Sequence, residues 1–300
     1  MSIRVAVLMG GWSSERDVSL VSGAAVADAL RQGGYAVEAI DVHRDPKKLL
    51  SSLDPRPDVV FNALHGRYGE DGCIQGVLDI LGVPYTHSGL LASALAMNKP
   101  MAKRLFTLES IVVEDRIVTR EELAAGDPMS RPFVIKPLSE GSSFGVQIIR
   151  NESGPAIFGA THWPYGPEVM VEPFIPGREL TVAVMGDRAL AVTEITTSHV
   201  FYDYDAKYQS GQSSHVIPAA LDSAVYDEAM ALAVRAHDAL GCRGVSRADF
   251  RYDGETLFML EVNTQPGMTP TSLVPEQAAY VGLSFEQLVR WMVEHAECDA

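Results

Sequence analysis

Short apolar blocks alternate with polar ones along the first part of the chain. Ile3–Met9 is an apolar run that ends at Gly10-Gly11. Val18, Val21, Val26 and Leu30 then recur at helical intervals until Gly33-Gly34 stops the pattern. Tyr35–Val42 predicts a second strand and Asp58–Leu64 a third, with a short helix beginning near Pro46 between them. A helix from about Gly72 to Leu81 precedes a short strand over Val83–Thr86. Strands alternating with helices imply a parallel sheet covered on both faces. Residues 1–87 are expected to form this first α/β domain.

After Leu90 the pattern changes. Two helical stretches lead toward Val112, and Arg131–Pro137, Gly145–Ile149 and Glu168–Phe174 predict strands. Arg178–Thr196 reads as two strands joined at Gly186-Asp187. Residues 197–217 are polar and aromatic-rich with no clear period, and loops of that length are uncommon unless functional. Asp222–Leu240 predicts a helix with Asp222 as N-cap and Gly241 just past its end. Val245–Tyr252 and Thr256–Val262 predict a hairpin around Asp253-Gly254, and helices over Pro275–Val281 and Ser284–His295 close the chain.

With 300 residues the chain can bury two or three cores, and 47% apolar with 21% charged residues is ordinary for a globular protein. The net charge of −15 leaves no broad basic surface, which argues against nucleic acid as a partner. An anionic ligand would need local cations, backbone N–H groups or bound metal. Cys73, Cys242 and Cys298 are odd in number and lack a CxxC element, so neither a disulfide framework nor a zinc site is indicated. The leading apolar run is too short for a signal sequence or a membrane span, so the expected location is cytoplasmic with no membrane partner.

Chemistry concentrates in a few places. In strands, Arg247 and Asp249 project on one face, as do Glu261 and Asn263. If the two strands pair, the set suits Mg²⁺, which binds through one or two carboxylates plus phosphate oxygens. An exposed polar edge is the plainer reading of an isolated set of this kind. The turn-rich Thr264–Thr269 segment beside it favours a site. Lys136 ends an apolar strand, and the following Gly141-Ser142-Ser143-Phe144-Gly145 loop offers N–H groups and hydroxyls to phosphate. It is not a Walker A loop, and Gly10-Gly11 is incomplete as a dinucleotide fingerprint, so a nicotinamide enzyme is disfavoured. Glu15 either complements a helix dipole or pairs with a substrate ammonium. His65 lies at the carboxyl end of the third strand, where open α/β sheets bind ligands, and is either a capped histidine or a ligand contact.

Five segments occur in order: Gly10–Leu20, His65–Gly72, Glu140–Val146, Phe201–Tyr208 and Glu261–Thr269. Together, from residue 5 to about residue 295, they resemble the D-alanine–D-alanine ligases of the ATP-grasp superfamily. The resemblance implies an α/β fold with α+β character in its ATP-grasp part. It places a parallel N-terminal domain at 1–87, a central ATP-grasp lid at 88–173 and a C-terminal ATP-grasp domain at 174–300 that carries the 197–217 active-site loop. It implies ATP as a substrate, two Mg²⁺ (or Mn²⁺) ions, D-alanine as the joined substrate, and a homodimer. The alternative is another ATP-grasp carboxylate–amine ligase, or one making D-alanyl-D-lactate.

The resemblance also assigns roles. Glu15 would meet the ammonium of the first D-alanine, with His65 nearby. Lys99, Lys136, Ser143 and Lys207 would meet the nucleotide phosphates. Glu172, Phe174, Ile175 and Glu179 fall where a hinge meets adenine and ribose. Asp249, Glu261 and Asn263 match metal ligands. Arg247 and the Gly267 N–H match groups that stabilise a developing oxyanion. Ser272 and Leu273 match contacts to the second D-alanine's carboxylate. Ser142 and Tyr208 would form a closing network with Glu15, and Tyr208 favours an amine over a hydroxy acid as second substrate. Met9, Trp12, Tyr68, Pro173 and Gln265 depart from the usual pattern without removing a charged group.

Overall fold

The computed structural model describes residues 2–108, 113–139, 141, 145–152, 166–197, 213–269 and 271–299. Ser142, Ser143, Lys207 and Tyr208, with most of the 197–217 segment, lie outside the described residues.

The first sheet is parallel, in the order β2 (Ala36–Val42), β1 (Arg4–Gly10), β3 (Val59–Asn62). Helix α1 (Arg16–Gln32) links β1 to β2, and α2 (Pro46–Ser52) links β2 to β3. Asp45 caps α2 by accepting from the backbone of Lys47 and Lys48. The third strand is shorter than expected because Asn62 Oδ1 takes the Leu64 N–H at 3.2 Å and turns the chain away. The expected Val83–Thr86 strand reduces to isolated bridges of Tyr85 with Val60 and with Glu297. Between them lies α3 (Cys73–Leu81), ending on left-handed Gly82.

Helices α4 (Leu90–Met97) and α5 (Lys99–Phe106) follow, α5 capped by the Asn98 side chain. The second sheet runs β4 (Arg116–Thr119), β7 (Glu168–Pro173), β5 (Phe133–Pro137), β6 (Gln147–Ile149), all neighbours antiparallel. β4 and the short α6 (Arg120–Ala125) were not among the predicted elements. Thr119 and Glu122 form a reciprocal capping box there, a signal legible as Thr-x-x-Glu.

The third sheet is antiparallel in the order β10 (Ser213–Val216), β9 (Arg188–Thr197), β8 (Arg178–Met185), β11 (Val245–Tyr252), β12 (Leu257–Asn263). β10 is a correction, since residues 213–216 lay in the stretch predicted to be irregular. Helix α7 (Ser223–Ala239) packs on this sheet, although Asp222 makes no side-chain cap bond. α8 (Leu273–Tyr280) and α9 (Phe285–Glu294) end the fold. Val5, Val7 and Phe61 from the first sheet share one core with Met185, Val245, Val274, Leu288 and Met292. The second sheet keeps a smaller core of its own around Phe133, Ile135, Val169 and Val171. Among the described residues no helix is long and apolar enough to cross a membrane.

Candidate active site

The carboxyl ends of β1 and β3 meet where Ser19 Oγ accepts from Gly10 N at 2.9 Å and donates to Ala63 O at 2.7 Å. Ser13 Oγ donates to His65 O at 2.7 Å and accepts from Glu15 N. These bonds bring the β1 and β3 loops together and place Glu15 at the N-cap of α1, 5% exposed. Gly66 adopts φ +70°, and a Cβ there would lie 2.7 Å from Glu15 Oε2. Glycine is therefore required by both backbone and space. Gly141, which with Gly145 is the described part of the Gly/Ser loop, also faces Glu15, with its Cβ position 3.0 Å from the same oxygen.

His65 is buried, with Nδ1 2.9 Å from Glu70 Oε1 and Nε2 3.4 Å from Ser22 Oγ. Burial alone would lower its pKa, but the hydrogen bond and charge of Glu70, helped by Glu15, raise it overall. Its contribution to stability is thus full below the unfolded histidine pKa and fades as pH rises through the higher folded value. Glu70→Gln removes that contribution. The melting-temperature gap between wild type and variant is expected to be widest near pH ~5 and to shrink toward pH ~9, by about 2–4 °C per kcal/mol lost. A gap that does not change with pH would mean that His65 is neutral throughout.

The hairpin of β11 and β12 pairs Asp249 directly with Glu261 and Arg247 with Asn263. A bulge follows the Asp249–Glu261 pair, where the ladder skips from Asp249 to Phe250. Bulges beside sites commonly re-aim side chains. Arg247 grips Asp249 with both fork positions, at 2.8 and 2.7 Å, and Thr181 Oγ1 donates to Asp249 Oδ1 at 2.6 Å. Lys99 Nζ stands 3.4 Å from Glu261 Oε2. Asn263 Oδ1 accepts from Gln265 N at 2.8 Å. Among the described residues no group of three or more His, Cys, Asp or Glu side chains forms a metal cage. The donors present, two carboxylates and an amide beside Lys99, fit a hard cation that completes its shell with water and ligand oxygens.

Gln265 is buried. Its Oε1 accepts from Asn62 Nδ2 at 2.7 Å and its Nε2 donates to Leu64 O. It ties the end of β3, and so the His65 loop, to the turn after β12. Trp12 and Tyr68 pack on each other with ring centroids 5.1 Å apart, and Arg67 lies over Tyr68.

On the second sheet, Glu172 is 3% exposed and holds Lys136 through Oε1 and Lys103 through Oε2, the latter at 2.9 Å. Burial works to raise the Glu172 carboxyl, but the two lysines outweigh it and keep it below the usual carboxylate range. Phe174 and Ile175 lie between β7 and β8, and Glu179 is on β8. Arg251 organises this segment: it donates to Ile175 O, Gly177 O and Glu179 Oε2, and stacks over Phe174. At the far end, Ser272 Oγ is 2.7 Å from Thr269 Oγ1, and a Cβ on Gly267 would lie 3.1 Å from that Ser272 oxygen.

A cleft of about 430 Å³ collects Glu15, His65, Lys99, Arg247, Glu261, Asn263, Gly267, Ser272 and Leu273 on its walls, with Val18, Val21 and Met97 as apolar lining. Lys136, Glu172, Phe174, Ile175, Glu179 and Asp249 do not line it. Lys103, Arg251, Glu70 and Thr181 were not singled out in the sequence. Arg251 continues the Arg247–Asp249 alternation and Lys103 lies one helical turn after Lys99, so two of the four carried a signal.

The N-terminal family described as "D-ala D-ala ligase N-terminus" matches residues 46–88, and "D-ala D-ala ligase C-terminus" matches residues 106–294. The D-alanine–D-alanine ligase of Rhodospirillum rubrum is 62% identical, with all of both chains covered. The ATP complex of the D-alanine–D-alanine ligase from Bacillus anthracis superposes with a TM-score of 0.83 at 29% identity, covering 98% of this chain and 97% of that one. VanG D-Ala:D-Ser ligase from Enterococcus faecalis superposes with a TM-score of 0.80 at 29% identity, covering 98% and 99%. The three-sheet architecture, the cleft between β1, β3 and the β11–β12 hairpin, and identity along the whole chain agree: this chain belongs to the D-alanine–D-alanine ligase family, on the ATP-grasp fold.

Proposed function

We propose that this chain joins two D-alanines to D-alanyl-D-alanine at the expense of ATP, as a cytoplasmic homodimer that supplies a peptidoglycan precursor. The observation that carries the reading is the one cleft that joins a buried carboxylate, Glu15, to the Lys99–Glu261 pair and to Arg247, whose partner Asp249 lies behind it. A carboxylate oxygen of the first D-alanine attacks the γ-phosphorus of ATP, the bond to the β–γ bridging oxygen breaks, and ADP leaves. The amine of the second D-alanine then attacks the acyl carbon, loses a proton, and phosphate departs from the tetrahedral intermediate.

Each group has a place in that sequence. Glu15 holds the first ammonium, and His65, fixed by Glu70, orients the same subsite. Lys99, Lys136, Ser143 and Lys207 neutralise phosphate oxygens, which is most of what phosphoryl transfer asks of a protein. Arg247 and the Gly267 N–H point at the oxyanion. Ser272 and Leu273 receive the second carboxylate. Glu172, Phe174, Ile175 and Glu179 hold the nucleoside. Ser142 and Tyr208 close the site, which keeps water from the acyl phosphate. Asp249, Glu261 and Asn263 would hold Mg²⁺ or Mn²⁺, which when bound neutralises charge developing on the phosphates.

Purified protein is expected to release phosphate from ATP only when D-alanine and Mg²⁺ are both present. Product identification across D-alanine, D-serine and D-lactate as second substrate separates a dipeptide ligase from the alternatives. No turnover that depends on D-alanine would overturn the reading.

A further inference from the structure

Helix α5 carries two lysines one turn apart. Lys99 faces Glu261 on β12, while Lys103 reaches Glu172 on β7 at 2.9 Å and Asp115 at 3.4 Å. Lys103 is 2% exposed, an unusual position for a lysine. The helix is fixed from behind, because Ala102 and Phe106 pack into the core of the third sheet. Glu172 therefore has two ammonium partners. Lys136 approaches one oxygen from the neighbouring strand β5, and Lys103 approaches the other from a helix that belongs to a different core.

We propose that Lys103 is a positioning residue for ATP: it neutralises Glu172 permanently, so that Lys136 is free to move to a phosphate oxygen. The inference rests on the reading of Lys136 as a phosphate ligand. A buried carboxylate with one counterion binds it strongly, because losing it leaves an uncompensated charge in a low dielectric. With Lys103 in place, transfer of Lys136 to nucleotide leaves Glu172 still paired. Without it, Lys136 is the sole ion-pair partner among the described residues, and every nucleotide that draws Lys136 away must leave Glu172 bare of them. The deficit appears as lost ATP affinity.

The test compares the full chain with Lys103→Met by calorimetric titration with ATP and by steady-state kinetics. The variant is expected to bind ATP about ten-fold more weakly, with the KM for D-alanine within about two-fold of wild type. A merely structural lysine would lower the melting temperature without that split. Equal ATP affinity in variant and wild type overturns the inference alone, whereas a wild type that binds no ATP overturns the phosphate reading with it. If Lys103→Met does not fold, the same substitution is made on Glu172→Gln, where no buried carboxylate needs a partner. ATP affinity there matching Glu172→Gln alone supports the inference, and a further loss of about ten-fold overturns it, since Lys103 would then act other than through Glu172.

Discussion

Glu261→Gln is expected to lower kcat/KM by about a thousand-fold while moving the melting temperature by no more than a few degrees. The substitution keeps the shape of the side chain and removes one charge. Glu261 is half-buried and lies opposite Asp249, beside the bulge, so no core contact depends on it. The charge matters because Asp249 is already held at both oxygens by Arg247. Once Glu261 is neutral, the only other carboxylate of the set is the one whose negative charge a guanidinium has largely offset. A thousand-fold change corresponds to about 4 kcal/mol, within reach of one charged ligand in a water-poor phosphoryl-transfer site. Phosphate release measured across a Mg²⁺ titration checks it. Full activity in the variant would show that Glu261 is not a metal ligand.

The second large effect is expected from Arg247→Lys, a fall in kcat of about a hundred- to a thousand-fold with the KM for ATP within about three-fold of wild type. Arg247 has two tasks that a lysine cannot share. Its planar fork spans both Asp249 oxygens, and it stands on the cleft wall where the oxyanion is expected to develop. A point charge on a flexible stem can meet one acceptor at a time. The loss therefore falls on the chemical step, and pre-steady-state measurement of ADP formation and dipeptide formation locates it. A rise confined to KM would make Arg247 a substrate-binding group instead.

Much of this was legible in the sequence, for physical reasons that differ by region. β1 read clearly because a strand buried on both faces is an unbroken apolar run. β11 and β12 read clearly because a turn at Asp253-Gly254 separates two segments whose alternation puts Arg247, Asp249, Glu261 and Asn263 on one face. β4 was missed because it has four residues and buries only Val118 among them. The cleft wall drawn from strand ends was legible in kind, since glycine-rich turns after apolar runs mark where ligands approach. For Lys103 only its place on the Lys99 face of a helix was legible, and its role was not, because that depends on a carboxylate 69 residues away. Gln265 was noticed only as an unusual residue, and its role depends on Asn62 at the end of a distant strand and on Leu64 just after it. Phe174, Ile175 and Glu179 were placed by resemblance alone, and the arginine that gathers them, Arg251, was not.

The core shared by Val5, Val7 and Phe61 with Val245, Leu288 and Met292 sets how this chain comes apart. The Glu15 and His65 loops and the start of β11 stand on that one core, the rest of the β11–β12 hairpin packs into the other core of the third sheet, and Lys136 and Glu172 stand on the separate second sheet. Amide exchange would then divide the chain by core rather than by sequence order. The first residues and the last helices would be protected as one cooperative unit, and the middle of the chain would open first. A fragment cut near residue 88 would carry half of a core and expose it, so the Glu15 and His65 side of the cleft cannot be taken from the chain without its C-terminal end.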